Sequence, residues 1–598
     1  MFRRSVAFIF ILFLSLAIVH GQTADIPGHT DDIIAQVDDV IERVDADDMN
    51  ETQYLRYLEQ AYNDTLLDSH MLVVQSNLSD KADQSYLGDM FHHTIRYRCR
   101  LSNDSLRRVW NVGFVLDKDA GERFDSRAPF ADSYSVYASF ESTQGWLRQA
   151  MIGNYRVTMG LGLLCNQSFA LGKNMATQSM MTGAKPFAVH SSASEDDYML
   201  GAAMRIRLGR HVEVLPFVSA RPIDGRLEHD TLMSWSTGGY HRTSSELSRR
   251  HTSWITNAGG SVRVFGEWYR VSANVLYTQL QHTYWRPLRA YNNNVFRGHD
   301  LLQFSLDYEA LWMGMHLKGE TAVDDRGGLS SVNAIQGNVF EDWSVTAIYR
   351  YYGDTYRQLL GNSIAESSAM QGETGVSVCV DGALTRNVGV SLSADWFHFS
   401  QPVYSIYQPS SGYELSAKFI FKPSSSRSSF RQASLSYRIK SKYRNNTLTA
   451  TPTDDITPYY RHTINAHSTW QLPIGLTLKS QVRTRLYSAQ NTGGVQMGYA
   501  ASQAVGWHSA SDKVRADVQA TYFHTDDYDT RLYLSEKNLL YGFSIPMLYG
   551  EGERYSMVIH YRPVKRFTIE TKYDITTCQR QGLGLTDWRL SMVAKFTL

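Results

Sequence analysis

The sequence predicts an all-β chain: a single large transmembrane antiparallel β-barrel of 22 or 24 strands, preceded by a short N-terminal helical segment. Three observations carry this. The chain opens with a secretory signal. An alternation of apolar and polar residues with period two recurs over about 500 residues. The last eleven residues form such a strand, with Leu590, Met592, Ala594, Phe596 and Leu598 on one side. Arg589, Ser591, Lys595 and Thr597 lie on the other, broken only by Val593. A sheet that meets lipid outside and water inside needs that pattern. Phe596 is therefore expected to face lipid, and Arg589 and Lys595 the lumen.

The signal occupies residues 1–22. Arg3 and Arg4 supply the basic start, Ser5 to Val19 the apolar run, and Gly21 the small residue before cleavage. Nothing later approaches ~18 consecutive apolar residues, which excludes membrane helices. A hydrophobic share of 43% and a mean hydropathy of −0.33 would suit a soluble protein. They equally suit a barrel, in which half of each strand faces a wet lumen. The 36 Tyr, 25 Phe and 12 Trp favour the barrel, because aromatic girdles mark both membrane interfaces. Basic and acidic residues balance at 59 each, so the chain has no overall basic excess for nucleic acid. Cys99, Cys165, Cys379 and Cys578 share no metal-binding spacing. In an oxidising envelope they could pair, but three sit in strand-like runs where a free thiol fits as well.

Residues 23–88 read as a periplasmic helical segment and linker. Thr30 to Val44 sets Ile33, Ile34, Val37, Val40, Ile41 and Val44 on one helical face. Thr52 to Tyr62 does the same with Tyr54, Leu55, Leu58, Ala61 and Tyr62. So short a hairpin cannot bury a core of its own, so residues 30–63 are expected to dock a periplasmic partner or cap the barrel mouth.

From residue 89 to 598 the period is two. Ile95, Tyr97, Cys99 and Leu101 alternate with Thr94, Arg96, Arg98 and Arg100. Leu476 to Leu486 sets Leu478 and Val482 against Lys479, Arg483 and Arg485, and Val514 to Tyr522 repeats the scheme. There are 25 strand candidates, those near 235–265 and 531–542 being the weakest. Closed bacterial barrels take even numbers, hence 22 or 24. Parity makes Arg96, Arg98, Arg100, Lys479, Arg483 and Arg485 the candidate lumen-facing contacts for a solute. Gly160 to Asp197 interrupts the alternation, and only Lys173 and Lys185 are charged between Leu161 and Ala193. A long segment so poor in charge is expected inside the lumen, narrowing it.

Leu116-Asp-Lys-Asp-Ala-Gly-Glu122, Gly238-Gly-Tyr-His-Arg-Thr243, Gly361-Asn-Ser-Ile-Ala-Glu-Ser-Ser368, Thr525-Asp-Asp-Tyr-Asp-Thr-Arg-Leu-Tyr533 and Tyr541-Gly-Phe-Ser-Ile-Pro-Met-Leu-Tyr-Gly550 carry a resemblance. They are similar to the large outer-membrane barrels of Bacteroidetes usually labelled "helix-hairpin-helix domain-containing protein". The resemblance runs from Thr94 to the C-terminus and implies an outer-membrane location and a barrel, without an activity. Longer members place ComEA-like repeats before the barrel. Between Asp64 and Met90 this sequence has neither their Leu-Asn-Thr-Ala-like start nor a glycine-containing hairpin, so the DNA-binding label does not carry over.

Other sites are weak. Asp526, Asp527 and Asp529 offer hard oxygens for Ca²⁺, as do Asp117, Asp119 and Glu122, but neither run has EF-hand spacing. His524 beside Asp526 hints at acid–base chemistry, yet there is no Gly-x-Ser-x-Gly elbow and no His-Glu-x-x-His. The reading is not an enzyme, with no cofactor. It is an outer-membrane channel or transporter for a solute or macromolecule, in contact with lipid and lipopolysaccharide. The alternative is a non-conducting assembly barrel that docks a periplasmic partner.

No nucleic-acid partner is expected. Between Thr30 and Asn63 the only basic residues are Arg43 and Arg56, no glycine occurs, and Asp45, Asp47, Asp48 and Glu51 sit where a hairpin would meet phosphate. Isolated residues 23–88 should therefore leave duplex DNA unshifted in a mobility assay at low salt. A salt-sensitive shift would contradict this.

Overall fold

The computed structural model describes residues 70–597, apart from 81–83, 104–106, 124–130, 168–179, 182, 368, 405, 425–428, 447–454, 491–492, 541, 543 and 581. The signal peptide and the helical stretch 30–63 lie outside the described residues. Twenty-four wall strands form one closed antiparallel sheet. The first eight are β1 His70–Ser79, β2 Phe91–Asn103, β3 Arg108–Lys118, β4 Ser133–Ser142, β5 Leu147–Val157, β6 Met199–Leu208, β7 Val212–Glu228 and β8 Ser253–Phe265. Next come β9 Tyr269–Tyr284, β10 Gly298–Trp312, β11 Met315–Asp324, β12 Leu329–Phe340, β13 Trp343–Tyr352, β14 Glu373–Thr385, β15 Val388–Phe399 and β16 Ser410–Phe421. The wall ends with β17 Phe430–Asn445, β18 Ile456–Leu472, β19 Leu476–Ala489, β20 Val495–His508, β21 Val514–Thr525, β22 Glu551–Val564, β23 Phe567–Arg580 and β24 Leu583–Thr597.

Each strand pairs with its neighbours in sequence, and β1 closes the ring on β24 from Met71↔Thr597 to Ser79↔Arg589. Closure leaves no edge in hydrocarbon, where an unpaired N–H or C=O costs several kcal/mol. Parity around the wall is as the alternation predicts. On β24, Leu590 and Met592 are exposed on the outside, while Ser591 and Val593 are buried inside. Phe596 shares the outward parity and stacks on Phe567 of β23, ring centroids 4.5 Å apart.

Connections at the end that holds both chain termini are short, two to eight residues. Those at the opposite end run to 41, between β5 and β6. Short turns mark the periplasmic side of such barrels and long loops the outside. Outward aromatics fall into two belts. Trp110, Trp146, Trp268, Trp312, Phe340 and Trp470 ring the periplasmic end, and Tyr134, Trp254, Trp285 and Trp396 the other. With Val136, Ile152, Leu306, Val482 and Met557 exposed between them, the outer surface is a lipid-facing band. The protein is an outer-membrane barrel.

Three boundaries differ from the sequence reading. The barrel begins at His70 rather than 89, so β1 occupies part of the expected linker. Two of the 25 candidates are not wall strands. Residues 235–243 overlap only the last two residues of a short strand, Thr231–Ser236, that pairs with the ends of β7 and β9. Residues 531–542 belong to the β21–β22 connection, which holds a two-residue hairpin, Leu532–Tyr533 with Met547–Leu548. The expected disulfide alternative is absent as well: all four cysteines are free.

The inside–outside assignment has a direct test. Met557 is 42% exposed at the centre of β22 on the lipid side, whereas Gln481 of β19 faces inward. Met557→Arg should cost about 2–4 kcal/mol in urea-dependent refolding into lipid vesicles, and Gln481→Arg less than about 1 kcal/mol.

Candidate functional site

The inside of the barrel is built from two kinds of part, loops that turn into the lumen and a charged wall that holds them. The 158–198 connection enters first. Its Met159, Leu163, Leu164, Cys165 and Met181 are buried in one apolar cluster with Tyr356, Ile364 and Met370 of the 353–372 connection. Wall residues Ala322, Val332, Ala334 and Ile348 of β11–β13 complete that cluster. The segment therefore leaves the wall at β5 and packs against strands a quarter of the way round. The expectation that Gly160–Asp197 lies partly inside holds for its described residues.

Glu320 of β11, fully buried, is the anchor. It accepts from the backbone N–H of Leu161 (2.6 Å) and of Leu163 (3.1 Å), and from Ser305 Oγ (2.7 Å). The backbone reaches it only through glycine: Gly162 sits at φ +93°, and a Cβ there would lie 2.3 Å from the Asn362 carbonyl oxygen. Lys318 Nζ donates to the Met181 carbonyl at 2.6 Å, and Tyr356 Oη to that of Leu163 at 2.9 Å. A buried carboxylate that satisfies two backbone donors fixes a loop far more firmly than apolar contact alone.

The same device recurs twice. Glu373 of β14 accepts from the N–H groups of Glu366 and Ser367 while pairing with buried Arg350, which also reaches Asp395. In the 526–550 connection the loop supplies the carboxylate. Glu536 meets Arg554 and Lys572 at 2.7 and 2.6 Å, and its acidity is raised accordingly. Burial opposes the charge, but Lys572 and Arg554 overcome it and hold the carboxyl well below its ordinary range. Leu539 then packs on Met71, Val73, Val558 and Val593 across the β1–β24 seam.

All six sequence-predicted lumen residues lie on the inward face, in two separate groups. Arg96, Arg98 and Arg100 are on β2; Lys479, Arg483 and Arg485 are on β19, seven strand pairings away. Arg96, Arg483 and Arg485 are 5%, 2% and 0% exposed, whereas Lys479 is open. The structure adds cations that the sequence reading did not single out: Arg438, Lys440, Lys442 and Arg444 of β17 and Arg461 of β18. Their period-two signal is present between Ser434 and Arg444 and was legible. Register sets Lys440 directly opposite Arg461, and Arg485 beside it opposite Thr463. Like charges in opposition destabilise a sheet unless anions compensate. Glu366 and Glu414 bind Lys440, and Asp529 binds Arg444. Arg438, Lys440, Lys442, Arg444, Arg461, Lys479, Arg483 and Arg485 thus line one inner strip across β17–β19, with Glu366, Glu414 and Asp529 among their partners.

The acidic candidates are engaged elsewhere. Asp526 accepts from Met497 N–H and pairs with His524, Asp527 caps the 3₁₀ turn Tyr528–Thr530, and Asp529 goes to Arg444. The second run is divided. Asp117 and Asp119 gather at His92, while Glu122 joins His241 and Asp132. Each histidine is held by neighbouring side chains. His92 Nδ1 takes the Asn77 amide (3.1 Å) and its Nε2 faces Asp117 (3.1 Å). His241 turns Nδ1 to Asp132 and Nε2 to Asp224 (2.7 Å). Burial opposes the imidazolium, yet these two carboxylates push His241 up to about 10. Burial, then Asp119 and Asp132, push Glu122 up to about 8. The knot ties the 119–132 and 229–252 loops to the rim beside a cavity of about 630 Å³ lined by Asp132, Glu195, Asp196, Arg221, Arg250 and His251.

No family model matches this chain, and no curated protein matches its sequence. Among solved structures it is similar to the siderophore receptor PirA of Acinetobacter baumannii, at 8% identity and a TM-score of 0.43, covering 89% of this chain and 81% of that one. PirA of Pseudomonas aeruginosa is 9% identical, TM-score 0.41, covering 88% and 79%. The FrpB iron transporter of Neisseria meningitidis is 9% identical, TM-score 0.41, covering 90% and 83%. Likeness at this level says nothing about what this barrel carries.

The His241 knot has a pH sign. Its histidine is raised, so its stabilisation is full below about pH 6.5 and fades as pH climbs to about 10. Glu122, also raised, loses stability in the same direction through pH 8. Amide exchange in residues 237–252 should therefore quicken with pH beyond its intrinsic rate. His241→Asn should remove about 3 kcal/mol of local protection, roughly a hundredfold in exchange.

Proposed function

We propose that this outer-membrane barrel is a channel or transporter whose path runs along the basic strip of β17–β19 and favours an anionic solute. The observation that supports it is the run of basic side chains that β17–β19 turn inward at Arg438, Lys440, Lys442, Arg444, Arg461, Lys479, Arg483 and Arg485. Charge facing a lumen governs which ions pass with little effect on folding. The apolar cluster around Leu163 and Met370 packs on wall strands between β5 and β13, while Glu366 of the 353–372 connection reaches Lys440 and Lys442 of the strip.

A second reading, a non-conducting barrel that docks a periplasmic partner, draws on the firmness of the anchors at Glu320, Glu373 and Glu536. Ion currents decide between them. In planar bilayers under a salt gradient, the protein should open with a reversal potential on the chloride side. Arg483→Glu combined with Arg485→Glu should move that potential toward the cation side. Currents that stay cation-selective, or selectivity unmoved by the double charge reversal, would contradict the reading. Complete silence at every voltage would favour the docking barrel.

A further inference from the structure

Among the described residues, four buried polar atoms without a partner fall in one patch of the inner wall, near the periplasmic end of β8. They are the hydroxyl oxygens of Ser261 and Ser272 and the Nε atoms of Arg263 and Arg270. Ser272 stands directly opposite Arg263 in the β8–β9 pairing, and Ser261 precedes Arg263 by two on the same inward face. The two serines are 7% (Ser261) and 0% (Ser272) exposed. Native interiors leave few such groups unsatisfied, so four together need a cause.

The charges around them supply one. Glu213, opposite Arg263 on β7, is occupied by Arg205, which donates to both its oxygens at 2.8 and 3.0 Å. Glu309 of β10 is shared by Arg270, His316 and Lys318 at 2.6, 2.8 and 3.1 Å. Asp307, on the far side of Ser272, takes the Asn274 amide at 2.7 Å. Arg263 is left with neither an ion pair nor a hydrogen bond among the described residues, and it feels the like charges of Arg270 and Arg205. The inward-folded loop brings one more cation. Lys318 of β11 holds the Met181 carbonyl at 2.6 Å, and Phe187 packs edge-on against Phe217 of β7, ring centroids 6.2 Å apart. Between those two points the chain crosses β8–β10, and it carries the exposed Lys185 with it.

We propose that this patch is a binding site for a tetrahedral oxyanion, phosphate or a phosphate monoester, held between Arg263 of the wall and Lys185 of the loop. A guanidinium fork meets such an ion with two parallel charge-assisted hydrogen bonds. Two serine hydroxyls and Arg270 Nε donate from other directions, which suits four oxygens better than a flat carboxylate. Arg263 lies two residues from the end of β8, so the ion enters from the periplasmic mouth. The site shares no residue with β17–β19 and does not require that the barrel conduct.

Calorimetric titration of the full-length protein in detergent micelles with inorganic phosphate, in low-salt buffer, is the test. Binding should saturate at one site, and Arg263→Gln should weaken it about tenfold or more. Lys185→Gln, on an exposed loop position that the wall does not need to fold, should weaken it roughly threefold. Glycerol 2-phosphate, titrated in parallel, separates the sources: equal affinity marks a phosphate monoester, much weaker binding the free ion. No saturable uptake of phosphate, or an affinity unmoved by both substitutions, would overturn the proposal. That result would leave the ion selectivity of β17–β19 standing on its own measurement in bilayers.

Discussion

Everything inside this molecule follows from closing a 24-strand sheet between β1 and β24. Lipid forbids an unpaired strand edge, so the ring must close. At 24 strands it closes around a lumen roughly 45 Å across between backbones. Side chains from opposite walls cannot meet at that distance. Among the described residues the interior is filled by chain that leaves the wall and returns, as the outer connections do at 158–198, 353–372 and 526–550. Each brings buried backbone polar groups that need partners, and the wall supplies them as charge: Glu320 and Glu373 for two loops, Arg554 and Lys572 for the third.

The wall anchors carry both signs. Strands β10–β15 present Glu320, Asp324, Glu373 and Asp395 inward, and the loops there arrive with N–H groups or with Arg357. Strands β17–β19 present cations, which Glu366, Glu414 and Asp529 meet. Rim chemistry is separate. The His241 knot ties surface loops to each other through Asp132 and Asp224.

Parity was the legible part of the sequence. Twenty-three wall strands stand where the alternation put them. The failures share one cause. β1 was missed because Met71 and Val73, its inward residues, are apolar, which blurs the alternation. They are apolar because Leu539 of the 526–550 loop packs on them. Val593, the lone break in the final strand, belongs to the same cluster. Residues 531–542 looked like a wall strand for the converse reason: Leu532, Tyr533 and Leu534 are buried, but against loop and wall inside the barrel rather than in lipid. A period-two pattern records which side of the sheet is wet, and it fails wherever a loop makes the wet side dry. The split of Asp117, Asp119 and Glu122 between two histidines was not legible, since it depends on which strands and loops meet at the rim.

The central claim is that inward-folded chain, not the wall, sets how open this barrel is. Removing residues 165–192 takes out most of the segment that crosses to Glu320 while leaving every wall strand intact. Single-channel recording of that variant in planar bilayers, beside the full-length protein, is the most direct measurement. The account predicts a clear rise in unit conductance. An unchanged conductance, with the barrel folded by its heat-modifiable mobility, would contradict it.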